Sequence, residues 1–355
     1  MQELSERQKL ILSLVIHEYI RTATPVGSNA LVARYHLEMS SATVRNEMAF
    51  LTELGYLRQP HTSAGRIPSE EGYRFFVSRL IRDADLPDTN RRTISHQFFQ
   101  MRNDVEQWVR LAASVLAHQS RAASLVTPPR PERARIKHLE LISTRGRQVL
   151  LVAVLVGGEV RQRFFTLSEP VPQTILSQSA ERLSQYLQNA DVDDIRARRS
   201  QFAGVDVDVA EILIEDLSHI DYSQPGEVII DGVTNVLSEP EFTGSEDALR
   251  AVRILEQRSV LQSLVARNNE TASQGGVQVL IGGEGNFDEL RQWSIVLGSY
   301  GMPGFATGTL GVLGPMRMSY GRAISTVRFL SSVLSDLVAD TLIEDASFPT
   351  GDVSL

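Results

Sequence analysis

At 355 residues and 42% hydrophobic content, the chain can bury more than one core, and two to three domains are expected. Its formal net charge of -8 excludes a global positive field, so any nucleic-acid binding must rest on a local basic surface. The absence of cysteine excludes disulfides, thiolate metal sites, cysteine nucleophiles and thiol-based redox sensing.

The opening residues lack a basic-then-apolar signal pattern, and no uncharged apolar run approaches the roughly 20 residues of a membrane helix. A cytoplasmic protein with no membrane contact is expected. Charge is uneven: residues 1 to 82 hold ten Lys/Arg against eight Glu, a net +2, and the remainder carries -10.

Ser5 and Gln8 form a capping-box pattern, and Leu10, Ile11, Leu14, Val15 and Ile20 follow at helical spacing, which predicts a helix from about Glu6 to Thr22. Ser28 is expected to cap a second short helix, and Ser40 or Ser41 a third that runs to Leu54 and stops at Gly55. Residues 56–59 and 66–68 are short extended pieces around the polar loop 60–65, so the module reads as three helices and a hairpin wing. A helix from Ser69 then breaks at residues 83–88, the best domain boundary in the chain.

Residues 91–123 read as one long helix, stopped by the Pro-rich stretch 127–131. Strands are predicted at 136–142, 149–156 and 160–167, and helices near 174–187, 207–220 and 245–267. Further strands fall at 228–230, 277–281, 295–300 and 309–313, before a closing amphipathic helix from Ser319 to about Ile343. Grouped strands with flanking helices give an α+β multidomain chain with an antiparallel sheet.

The second helix of a helix-turn-helix enters the major groove, so base-reading side chains belong on its first turns. Ser41, Thr43, Arg45 and Asn46 sit there, with Val44, Met48, Leu51 and Leu54 on the opposite face. Arginine pairs with guanine and asparagine with adenine, while serine and threonine donate to phosphates. The competing account makes Arg45, Asn46 and Glu47 a solvated helix face. His61, Thr62, Ser63 and Arg66, with Arg58 on the preceding strand, put donors and charge on the wing and favour the DNA account.

Other signals carry less. The glycines at 282–285 and 308–314 lack nucleotide-loop spacing, and Asp191, Asp193 and Asp194 read as a solvated charged turn. The seven histidines show no metal-ligand spacing and no catalytic constellation, so neither an enzyme, a metal site nor a cofactor is expected.

Residues 24–28 (TPVGS), 41–48 (SATVRNEM), 59–66 (QPHTSAGR) and 72–75 (GYRF), with 281–284 (IGGE) and 314–320 (GPMRMSY), closely resemble the heat-inducible transcription repressor family, HrcA. Two departures stand out: Met316 replaces the family's usual threonine, and its Gly-x-Glu-Asn pattern is opened to Gly283-Glu284-Gly285-Asn286. The resemblance implies a winged helix-turn-helix at 1–82, a linker and long helix at 83–130, and a GAF-like domain at 131–185 and 262–345. It also implies a small α/β dimerisation insert at 186–261. It further implies a homodimer on double-stranded DNA with an inverted-repeat operator before groE- and dnaK-type chaperone operons. Relief on heat stress and the chaperonin GroEL as partner complete that picture. Glu284, Asn286, Arg317 and Tyr320 are read as an interdomain or dimer contact ahead of a regulatory pocket, which would also include Tyr300. The alternative function is a winged-helix repressor whose GAF-like domain takes a small-molecule effector.

Overall fold

The computed structural model describes residues 3–80, 86–101, 104–131, 133–218, 227–271, 276–282 and 290–347. It divides into two compact units, the first comprising Met1–Pro128, Gly226–Gly301 and Gly308–Leu355, the second Pro129–Pro225 and Met302–Thr307. Helices and antiparallel sheets together make the fold α+β.

The first unit opens with α1 (Glu6–Thr22), where Ser5 and Gln8 form the expected reciprocal capping box. Its buried stripe is Ile11, Leu12, Val15 and Ile16, and Leu10 faces solvent. Gly27, not Ser28, is the cap residue of α2 (Ser28–Tyr35), and Ser40 caps α3 (Ser41–Glu53) by accepting from the Thr43 amide. Strands β1 (Leu57–Arg58) and β2 (Ile67–Pro68) pair antiparallel as the predicted hairpin. Ser69 caps α4 (Glu70–Phe75), which runs on into a π-helical turn, Phe76–Leu80.

The single helix expected over 91–123 is two, α5 (Asp88–Gln100) and α6 (Val105–Ser120). Asp104 separates them, because its carboxylate accepts the Gln107 amide at 3.1 Å and starts a new helix. The end of that stretch is a strand, β3 (Ala123–Val126), buried at every position.

In the second unit β4 (Arg130–Pro131) precedes the antiparallel meander β5 (Ile136–Arg145), β6 (Gln148–Leu155) and β7 (Val160–Thr166). Leu139, Leu141, Leu151 and Leu155 on one face of the meander share a core with Leu176, Leu183, Ile195, Val209 and Leu213. The last five lie on α7 (Gln173–Tyr186), α8 (Val192–Arg198) and α9 (Val205–Ser218). This shared core spans the 186 border implied by the family resemblance, and the compact unit that holds it runs from Pro129 to Pro225 with Met302–Thr307. Asp191 is no solvated turn either; it is buried, caps α8 with Asp194, and pairs with Arg133 at 3.1 Å. Burial opposes ionisation there, but the Asp194 amide and the Arg133 guanidinium hold its carboxyl below the usual range.

The chain then returns to the first unit through β8 (Ile229–Asp231), α10 (Val233–Leu237), α11 (Ser245–Glu256) and α12 (Arg258–Thr271), the last two split by extended Gln257 where one helix was predicted. Strands β9 (Val277–Ile281), β10 (Trp293–Met302) and β11 (Ala306–Pro315) complete a sheet of order β8-β3-β11-β10-β9, and α13 (Tyr320–Ser347) closes the chain. Phe242, Ile254, Leu264, Leu125, Trp293 and Leu297 build the core between the sheet and α10 to α12. Among the described residues no helix is long and apolar enough to cross a membrane.

The three-helix head is held to this sheet by one polar knot. Arg317, only 9% exposed, donates to Glu241 at 2.6 and 3.0 Å, to Glu239, and to the carbonyl of Ile20 in the last turn of α1 at 3.2 Å. Burial disfavours its charge, yet the two carboxylates hold the guanidinium above its usual value. Beside it the Tyr73 and Tyr320 rings lie 5.7 Å apart, and Arg74 donates to the Ile281 carbonyl at 3.2 Å. The Tyr320 hydroxyl bonds Ser294 and donates to the Met316 carbonyl, both at 2.6 Å. Arg317→Ala strands two half-buried carboxylates, so a loss of about 3 kcal/mol is expected, toward the lower end for a broken buried pair, read as a lowered urea midpoint.

Candidate nucleic-acid interface

Helix α3 turns its apolar residues Val44, Met48 and Leu51 inward, which leaves Arg45 and Asn46 exposed on the far side. Thr43 is partly committed, since its hydroxyl lies 2.9 Å from Ser40 Oγ as part of the helix cap. Ser41 stands half-buried in the first turn.

The hairpin loop has its own structure. Gln59 Nε2 donates to the carbonyls of Thr62 and Ala64 at 2.9 and 3.0 Å, and the Ala64 amide bonds the His61 carbonyl. The loop's base is pinned to the turn before α2 by a pair of backbone bonds, Arg66 amide to Val26 carbonyl at 2.8 Å and Val26 amide to Arg66 carbonyl at 2.9 Å. Gly65 permits that approach, because a Cβ there would lie 2.3 Å from the Val26 carbonyl oxygen.

Loop, α3 and the start of α2 thereby enclose a cleft of about 340 Å³ lined by Arg45, Gln59, Thr62, Ser63, Arg66 and the Gly27–Ser28 backbone. Four predicted residues, Arg45, Thr62, Ser63 and Arg66, meet in it. Ser41, Thr43, Asn46, Arg58 and His61 do not line it; Asn46, Arg58 and His61 are exposed elsewhere on the head. Gln59 and the α2 start were missed in the sequence, although the run of small residues 24–28 marked that turn.

Electrostatics single out the same arginines. Arg7 pairs with Glu47 at 2.8 Å, Arg21 and Arg34 with Glu18, Lys9 with Glu6, and Arg74 with Glu70 and Glu71. The hydrogen bond from Arg21 leads the pull on the Glu18 carboxyl, which sits below its usual range. Among the described residues no carboxylate pairs with Arg45, Arg58 or Arg66, and the buried Nε of Arg66 has no hydrogen-bond partner. Arg45, Arg58 and Arg66 all lie on α3 and the hairpin. A concave, donor-rich surface with uncompensated guanidinium groups suits phosphate and base edges. Of the remaining predicted residues, Arg317 and Tyr320 lie in the head–sheet knot, and Glu284 and Asn286 fall outside the described residues.

Known proteins resemble the chain over most of its length. A family model described as the HrcA protein C-terminal domain matches residues 106–324. The heat-inducible transcription repressor HrcA of Roseiflexus castenholzii is 43% identical over 346 residues, covering 95% of each chain. That of Chloroflexus aurantiacus is 41% identical over 351 residues, covering 95% of this chain and 94% of its own. A crystal structure described as that of a hypothetical protein superposes with a TM-score of 0.58 at 22% identity, covering 95% of this chain and 98% of that one. By family match and near full-length identity, the chain belongs to the HrcA family.

Proposed function

We propose that the chain is a sequence-specific transcription repressor that reads DNA with its N-terminal head as a winged helix. The observation that carries this reading is the cleft where unpaired Arg45 and Arg66 meet Thr62 and Ser63. In it α3 enters the major groove with Arg45 and Asn46 toward base edges, and the hairpin lies along the phosphates with Arg58, His61 and Arg66. The larger unit's five-stranded sheet with helices on it is read as the GAF-like domain, and the operator as an inverted repeat before chaperone operons. A cytoplasmic, non-enzymatic regulator relieved on heat stress and kept active by GroEL follows from the same family reading.

Inverted-repeat binding requires a homodimer, and the second unit offers a surface for one. The face of its meander away from α7–α9 aligns Ile142 with Leu150 and Leu150 with Phe164, next to Val152, Val154 and Val160. Phe164 is 59% exposed and Val160 53%. Pairing two such faces buries this apolar patch and joins two weakly basic heads into one bivalent binder.

Three outcomes are expected. In a salt-series titration against an inverted-repeat operator and a scrambled duplex, the operator binds at least about 10³-fold tighter, and addition of GroEL raises the active fraction. In the same assay Arg45→Ala costs about 1 to 3 kcal/mol on the operator and relaxes base preference, whereas Arg66→Ala weakens both duplexes alike and lowers the salt slope by about 1. Equal losses on both duplexes for both variants defeat the assignment. Phe164→Asp yields monomers in sedimentation velocity with weakened operator binding; an unchanged dimer would rule out this face.

A further inference from the structure

A second cleft, of about 450 Å³, lies on the first unit beside α11 and the start of β10. Its floor is aromatic: the Phe242 and Trp293 rings stack at 4.9 Å between centroids with a 34° tilt. Its rim is cationic, with Arg250 and Arg253 one turn apart on α11 and Arg291 at the strand end, against the single acid Asp247 among the lining residues. Arg250 has only a loose carboxylate neighbour, Glu246 at 4.0 Å, and Arg253 has no ion-pair partner among the described residues.

Cavities of this volume accommodate small organic ligands, and such sites combine an apolar floor with a few placed polar groups. Guanidinium groups match the geometry of carboxylate and phosphate oxygens, and stacked rings favour a flat apolar body. We infer that this cleft binds a small planar aromatic anion, with its ring against Phe242 and Trp293 and its acidic group on Arg250 and Arg253. The site is independent of the DNA interface: it shares no residue with the cleft of Arg45 and Arg66. It does adjoin the head's anchor. The turn Pro240–Phe242 presents Phe242 to the cleft and Glu241 to Arg317, so an occupant touches the segment that holds the head.

Isothermal titration of the full chain with 2-naphthoate, beside its neutral isostere 2-naphthamide, tests the site. Saturable one-site binding of the acid is expected, at least about tenfold tighter than the amide. Arg250→Gln combined with Arg253→Gln, with unchanged far-ultraviolet circular dichroism, should weaken the acid by a similar factor and leave the amide unaffected. Equal binding of acid and amide, full-strength binding to the double variant, or no binding of 2-naphthoate at millimolar concentration overturns the inference.

Discussion

The position of the N-terminal head on the sheet depends on a guanidinium buried where no guanidinium would sit unaided. Taking Arg317 out of water costs several kcal/mol, and the carboxylates of Glu239 and Glu241, two residues apart, plus one backbone carbonyl offset it. One of those acceptors is the Ile20 carbonyl in the last turn of α1, so part of the compensation is available only when the head is docked. The contact therefore specifies an arrangement more than it adds stability. Tyr73, Tyr320 and Arg74 surround it with ring packing and a further bond from Arg74 to the Ile281 carbonyl, and burial pushes the Tyr73 hydroxyl well above its ordinary value.

Net charge misleads for this chain because most of the head's acids are occupied. Glu18 takes two arginines and Glu47 a third, all on the side where α1, α2 and α3 meet. Arg45, Arg58 and Arg66 on α3 and the hairpin have no carboxylate partner among the described residues. A local basic surface of this kind attracts a polyanion even though the whole molecule is acidic.

Local signals in the sequence located the head well. Capping boxes, Gly55 and the polar loop act within four residues, so α1, α3 and the hairpin follow from short-range chemistry. Legibility failed where distant segments decide. Ala123–Val126 continues an apolar helical pattern and becomes a central strand only because β8 and β11 flank it. That one core holds α7, α8 and α9 against the meander likewise has no local mark in the sequence. Arg317 and Tyr320 came into view by resemblance, but the Arg317 partners Glu239, Glu241 and Ile20 had no mark, as polar contacts across 76 to 297 residues leave no periodicity. The aromatic cleft was invisible for the same reason.

The seam between Gly65 and Val26 sets a rule for how this family member can vary. With an oxygen where a β-carbon would go, the root of the hairpin tolerates no side chain, while its tip from Pro60 to Ser63 is open to solvent. Changes of length or chemistry can accumulate at the tip without tilting the loop, because the hinge that would transmit them is welded shut by close backbone contact. The chemistry of the tip can thus be varied residue by residue on a fixed stem.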